Sequence, residues 1–174
     1  DTSTVSPHIK NNSIHNNVAA AGINIGGASN VTIGDSNDIY NNETGISFYV
    51  ANNGPINPVM DPFTLTKSSQ PVTITGNNIY NNQSGGIAIR DGISGPVTIT
   101  DNDIYSNHAA GIRMQRSCVL DINRNDIHDN LRGGIHTGSY VVDGGGFIAG
   151  HIGLGHLTIE KNKFYSNGSA GYGA

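Results

Sequence analysis

The sequence predicts an all-β fold: a parallel β-helix solenoid of about six coils, with three short strands per coil. Three observations carry that prediction. One phrase recurs, as "NDIYNNETGISF" (37–48), "NNIYNNQSGGIAI" (77–89), "NDIYSNHAAGIRM" (102–114) and "NDIHDNLRGGIHT" (125–137), and self-similarity at a regular spacing marks a repeat architecture. The anchors Ile74, Ile99 and Ile122 lie 25 and 23 residues apart, a spacing suited to one coil. Each copy also alternates at period 2 in three segments too short to stand as free hairpins, so they must pair with the same segments of the next copy.

The copies share the template [V/L]-x-I-x-x-N-x-I-[Y/H]-x-N-x-x-x-G-I-x-[aliphatic]. Full copies start at Val31, Val72, Val97, Leu120 and Leu157, and residues 7–25 supply a sixth. The first strand is V-T-I, the second N-x-I-Y and the third G-I-x-I. Inward positions are the Val/Leu and Ile of the first strand, the Ile of the second and both aliphatics of the third. Each buried aliphatic contributes roughly 1.5–3 kcal/mol, and only a stack of coils can bury them. Asn12, Asn37, Asn77, Asn102, Asn125 and Asn162 fall at the first corner, and Asn17, Asn42, Asn82, Asn107, Asn130 and Asn167 at the second. Asn tolerates the left-handed conformation of a tight corner. Identical amides repeated at ~4.8 Å form an inter-coil ladder.

Two copies carry long insertions, "YVANNGPINPVMDPFTLTKSSQP" (49–71) and "GSYVVDGGGFIAGHIGLGH" (138–156), each leaving directly after a G-I-x-I strand. Long loops on a rigid scaffold are where function concentrates. The chain reads as a single domain over 1–174. It starts at a first-strand position and lacks a capping helix at either end, so it is expected to be a segment of a longer protein or to self-associate end-on or side by side.

Composition narrows the function classes. A formal net charge of −4 with 13% charged residues argues against a nucleic-acid surface, which would be basic. No apolar run is long enough to span a membrane. Cys118 is alone, so the redox compartment stays open.

The repeat resembles that of right-handed parallel β-helix proteins of the pectate-lyase-like superfamily, over almost the whole chain. The resemblance implies a right-handed coil and a secreted, cell-surface or periplasmic protein. It also implies that the G-I-x-I sheet floors a polysaccharide groove walled on one side by the two insertions. Outward positions on that sheet are Asn24, Ser47, Ala88, Arg113 and His136, followed by Gly26, Tyr49, Arg90, Gln115 and Gly138. Arg forks suit carboxylates and sulfates, so an anionic, uronic-acid-containing polysaccharide is the expected partner. Lyase or C5-epimerase chemistry then assigns Arg113 or Arg90 to neutralise the carboxylate, His136 to abstract the C5 proton and a loop tyrosine, Tyr140, to donate one. Gln115, Tyr49, Asp91 and Asp143 complete the candidate binding set. A hydrolase fits less well, because it wants two carboxyl groups across one bond and no Asp or Glu points outward from this sheet.

The ring column His15, Tyr40, Tyr80, Tyr105, His128 and Tyr165 on the second strand reads as a stiffening stack more than a sugar platform. The adjacent carboxylates Asp103 and Asp126 have the chemistry to hold Ca²⁺, but solvation at the surface explains them better and no cofactor is expected. No His/Cys spacing indicates a resident metal. Two alternatives stand beside the enzyme: a non-catalytic surface, adhesion or tail-fibre solenoid binding glycan or protein, and a periplasmic metal-associated β-helix.

Overall fold

The computed structural model describes residues 6–26, 30–48, 70–89, 95–114, 119–137, 142–143, 146–147 and 156–168. Among them every regular element is a strand, and no helix is long and apolar enough to cross a membrane. Strands in equivalent positions of successive coils pair in parallel, giving three sheets of six, six and five strands.

The first sheet stacks His8–Ile9, Val31–Gly34, Val72–Thr75, Pro96–Thr100, Val119–Asn123 and Leu157–Glu160. The second runs from Ser13–His15 through Asp38–Tyr40, Asn78–Tyr80, Asp103–Tyr105 and Asp126–His128 to Lys163–Tyr165. The third stacks Ala21–Ile25, Thr44–Phe48, Ile87–Ile89, Ile112–Met114 and Ile135–Thr137. Register places like on like: Ile33, Ile74, Ile99, Ile122 and Ile159 form one column. The inward positions form one continuous core, with Ile33, Ile39, Ile46, Phe48, Ile74, Ile79, Ile99 and Ile104 fully buried. Phe48 and Met114 take the last inward position of the third strand without disturbing its pairing. A two-strand hairpin, Val142–Asp143 with Gly146–Phe147, lies within the second insertion.

Both asparagine ladders are present. Asn102 Nδ2 donates to Asn125 Oδ1 at 2.9 Å, to Ile74 O in the preceding coil at 2.9 Å and to Thr100 O at 2.9 Å. Its own Oδ1 accepts from the backbone N and the Nδ2 of Asn77, at 3.0 and 2.9 Å. The second corner repeats the scheme, as in Asn82 to Asn107 and Asn107 to Asn130.

One expectation is corrected. The ladder asparagines are not the left-handed residues; the residue before each one is. Asn11, Asp101, Arg124 and Lys161 precede first-corner rungs with φ of 54–56°. Asn16, Asn41, Asn81, Ser106, Asp129 and Ser166 precede second-corner rungs with φ of 51–63°. The rung must aim its amide into the stack, where Asn102 is 3% exposed, so the left-handed kink falls on the outward residue before it. Gly76 fills this place in the third coil. The second coil carries one residue more there, and both Asp35 and Ser36 take positive φ.

The template glycine at the head of the third strand has another cause. A Cβ on Gly86 would meet Gly111 O at 2.6 Å and Ile104 Cγ2 at 2.8 Å, and one on Gly45 would meet Gly86 O at 2.6 Å. Close approach of successive coils therefore demands glycine here.

Candidate functional site

The third sheet carries the predicted face. Asn24 pairs with Ser47, Ser47 with Ala88, Ala88 with Arg113 and Arg113 with His136. Adjacent members therefore sit one strand spacing apart, ~4.8 Å. This column is not an evenly open floor. Asn24 is exposed and Arg113 and His136 are half-buried, whereas Ser47 at 9% and Ala88 at 4% are covered. Two accessible stretches result, one at each end of the column.

Of the predicted site residues, the structure brings Arg113 and His136 together in direct register. Asp143 has its backbone in the hairpin of the second insertion. Tyr49, Arg90, Asp91, Gln115 and Tyr140 lie outside the described residues.

A cleft of about 420 Å³ opens at the other end, lined by Asn24, Glu43, Thr44, Ser47 and the alanines at 19–21. Its origin is a mismatch between corners. From ladder asparagine to template glycine there are four intervening residues in the first coil (18–21), two in the second (43–44) and three in the next three coils. The cleft lies where the longest of these corners, in the first coil, meets the shortest, in the second. Glu43 is fixed by its backbone, whose N donates to Asn17 O at 2.9 Å and to Ala20 O at 3.1 Å. The repeat template did not single out Glu43, because its x positions carry no expectation. The corner lengths were the signal that would have found it.

The second sheet resolves the ring column. His15, Tyr40, Tyr80, Tyr105, His128 and Tyr165 stack with centroids 4.6–5.1 Å apart and planes within 13°. Each inner ring spends both faces on its neighbours, so only edges and hydroxyls meet solvent and no sugar can lie on them. Burial raises the pKa of Tyr105, with the charges of Tyr80, Asp103 and Asp38 adding to it. The phenol stays a neutral donor.

His128 is held inside this stack by two carboxylates, with Nδ1 2.8 Å from Asp129 Oδ2 and Nε2 3.0 Å from Asp103 Oδ1. Carboxylates only accept, so satisfying both contacts requires a proton on each ring nitrogen. Burial pushes the His128 pKa down. The hydrogen bond to Asp129, the charge and hydrogen bond of Asp103 and the charge of Asp126 outweigh that, and the net shift is upward.

The carboxylate pair considered for Ca²⁺ is engaged by this chain's own cations: Asp103 meets His128, and Asp126 Oδ2 lies 3.6 Å from Lys163 Nζ. Among the described residues no group of three or more His, Cys, Asp or Glu side chains is placed to hold a metal ion.

The family model described as the right-handed beta helix region matches residues 63–174. No curated protein and no solved structure matches the chain.

Proposed function

The chain belongs to the right-handed β-helix family, a scaffold that does not itself specify an activity, and on that premise we propose that it binds an anionic, uronic-acid-containing polysaccharide along the third sheet. The observation that supports this most is the in-register pairing of Arg113 with His136 on neighbouring strands. In a uronate the acidic C–H sits on the carbon that bears the carboxyl group. The residue that neutralises the carboxylate and the residue that removes the proton must therefore be neighbours, and this pair is. The guanidinium holds the carboxylate by paired charge-assisted bonds, which acidifies C5–H. The imidazole, when neutral, accepts that proton.

Loss of that proton suits two outcomes. In elimination C4=C5 forms, the C4–O bond breaks and the departing oxygen takes a proton from a general acid, the role assigned to Tyr140. In epimerisation a proton returns to the opposite face of C5. The setting is secreted, cell-surface or periplasmic, as the superfamily resemblance implies. The alternative is a solenoid that holds the same glycan without reacting.

The test is binding to a polyuronate and to its neutral counterpart, with ultraviolet absorbance followed for unsaturated uronate and proton NMR in deuterium oxide followed for exchange or inversion at C5. Arg113→Ala should weaken polyuronate binding by about ten- to a hundredfold, the worth of a charge-assisted hydrogen bond. His136→Ala should abolish turnover with little change in affinity. Binding without turnover selects the non-catalytic solenoid, and indifference to Arg113→Ala removes the proposal.

A further inference from the structure

We infer that the Glu43 cleft is a separate subsite for an uncharged, hydroxyl-rich sugar residue. Four polar side chains converge on it, from Asn24, Glu43, Thr44 and Ser47. None of them is hydrogen-bonded to another described residue, and none of their polar atoms is buried without a partner. Thr44 and Ser47 are nevertheless only 3% and 9% exposed. Both residues line the cleft, and among the described residues neither side chain has a hydrogen-bond partner.

The set comprises a strong acceptor, an amide that both donates and accepts, and two hydroxyls that do either. That inventory matches the mixed donors and acceptors of a sugar ring. The methyl groups of the alanines at 19–21 supply an apolar wall for its C–H face. The volume falls within the usual range for small-molecule sites, about 300–1,000 Å³. Among the described residues no Lys or Arg lines the cleft, so the Glu43 carboxylate disfavours a uronate or a sulfate and leaves a neutral ring as the fitting occupant.

Asn24 and Ser47 belong to the same outward column as Arg113. From Asn24 to Arg113 is three strand spacings, roughly 14 Å. This builds on the glycan reading of the third sheet and adds a charge pattern to it. The ligand would carry an acidic residue at Arg113 and a neutral one at the cleft, as a heteropolysaccharide does.

The experiment is an NMR titration of the isotope-labelled full chain with three probes of matched length: a neutral oligosaccharide, its uronate counterpart and its hexosamine counterpart. The neutral probe should shift the backbone amides of Ala20, Glu43, Thr44 and Ser47. Glu43→Gln should weaken that response about tenfold or more, and Ala19→Phe, which fills the opening from an exposed turn, should do the same. Both variants should leave the uronate response at Arg113 and His136 unchanged, and Arg113→Ala should show the reverse pattern. A neutral probe that shifts nothing at the cleft overturns the inference. So does a response indifferent to both cleft variants, or one given by the hexosamine alone. Loss of the uronate response, with the neutral one intact, would instead remove the polyuronate proposal and leave this site standing.

Discussion

Replacing Asn102 by Ala should be among the most damaging changes of a single polar side chain in this protein. The amide is 3% exposed and makes five hydrogen-bond contacts through its two polar atoms. Truncation leaves the buried backbone N–H of Asn77 with no acceptor, because Asn102 Oδ1 was its partner at 3.0 Å. It also deprives Ile74 O and Thr100 O of a donor each. Asn125 Oδ1 keeps the backbone N of residue 102 as its donor, so that side of the ladder survives. One orphaned N–H costs about 1–3 kcal/mol, and the weakened carbonyls bring the expected loss to about 2–4 kcal/mol. Asn12→Ala, at the same template position, should cost under about 1 kcal/mol, because Asn12 is exposed and its amide hydrogen bonds are exposed or only partly buried. Urea titrations of both variants against wild type measure the difference as a shift in midpoint at constant slope. Asn102→Asp sharpens the test. It is isosteric and keeps an acceptor for Asn77, but it turns oxygen lone pairs toward Ile74 O, Thr100 O and Asn125 Oδ1. It should be at least as damaging at neutral pH and partly recover in acid, when the carboxyl can donate. Equal midpoints for the residue 12 and residue 102 variants would refute the ladder as a source of stability.

Two glycines should respond to alanine for different reasons. Gly86→Ala forces a methyl to within 2.6 Å of Gly111 O and should cost more than about 3 kcal/mol or prevent folding. Gly76→Ala has no atom nearer than 3.8 Å but lies at φ +65°, so it should cost only the left-handed penalty, about 1–2 kcal/mol; thermal melts rank the two. The third prediction concerns His128. A histidine whose pKa is raised on folding adds stability that is fully present below its unfolded pKa and is lost as pH rises through the folded value. Melting temperature should therefore fall from mildly acidic into alkaline pH in wild type. His128→Phe, which keeps a ring in the stack, should flatten that slope, and an unchanged slope would place the titration elsewhere.

Much of the scaffold was legible because the coil repeats its own physics. A column of Ile at one spacing, two columns of Asn and a column of rings can be superimposed only if coils stack in register, so strand positions, inward faces and both ladders follow from alignment of the copies. Departures arose where a position is defined by its neighbour and not by its own side chain. Arg124 and Lys161 have no intrinsic preference for positive φ, yet they take it, because the inward aim of Asn125 and Asn162 leaves them the outward turn. Ser47 and Ala88 alternate as outward residues should, and are covered all the same; period-2 reasoning gives the direction of a side chain and not what lies over it. Glu43 was missed because a corner is read as punctuation, while the cleft comes from corners of unequal length.

The columns also separate scaffold from function. On the first sheet the outward position reads His8, Thr32, Thr73, Thr98, Asp121 and Thr158, mostly threonine, and one of the two outward columns of the second reads His or Tyr in every coil. Such uniformity follows from contact between coils: threonines suit a pleated surface, and rings stack on rings. The third sheet reads Asn24, Ser47, Ala88, Arg113 and His136, with no two alike and a long cationic chain set beside a titratable ring. Stacking alone gives no reason for that sequence, since a β-branched residue would serve each place as well or better. The double variant Arg113→Thr with His136→Thr should therefore stay folded at a cost of no more than about 1 kcal/mol, the usual size of a partly exposed side-chain interaction, while removing polyuronate binding. A loss of stability beyond about 1 kcal/mol would return this pair to the scaffold, and retained binding would move the anionic site off the third sheet.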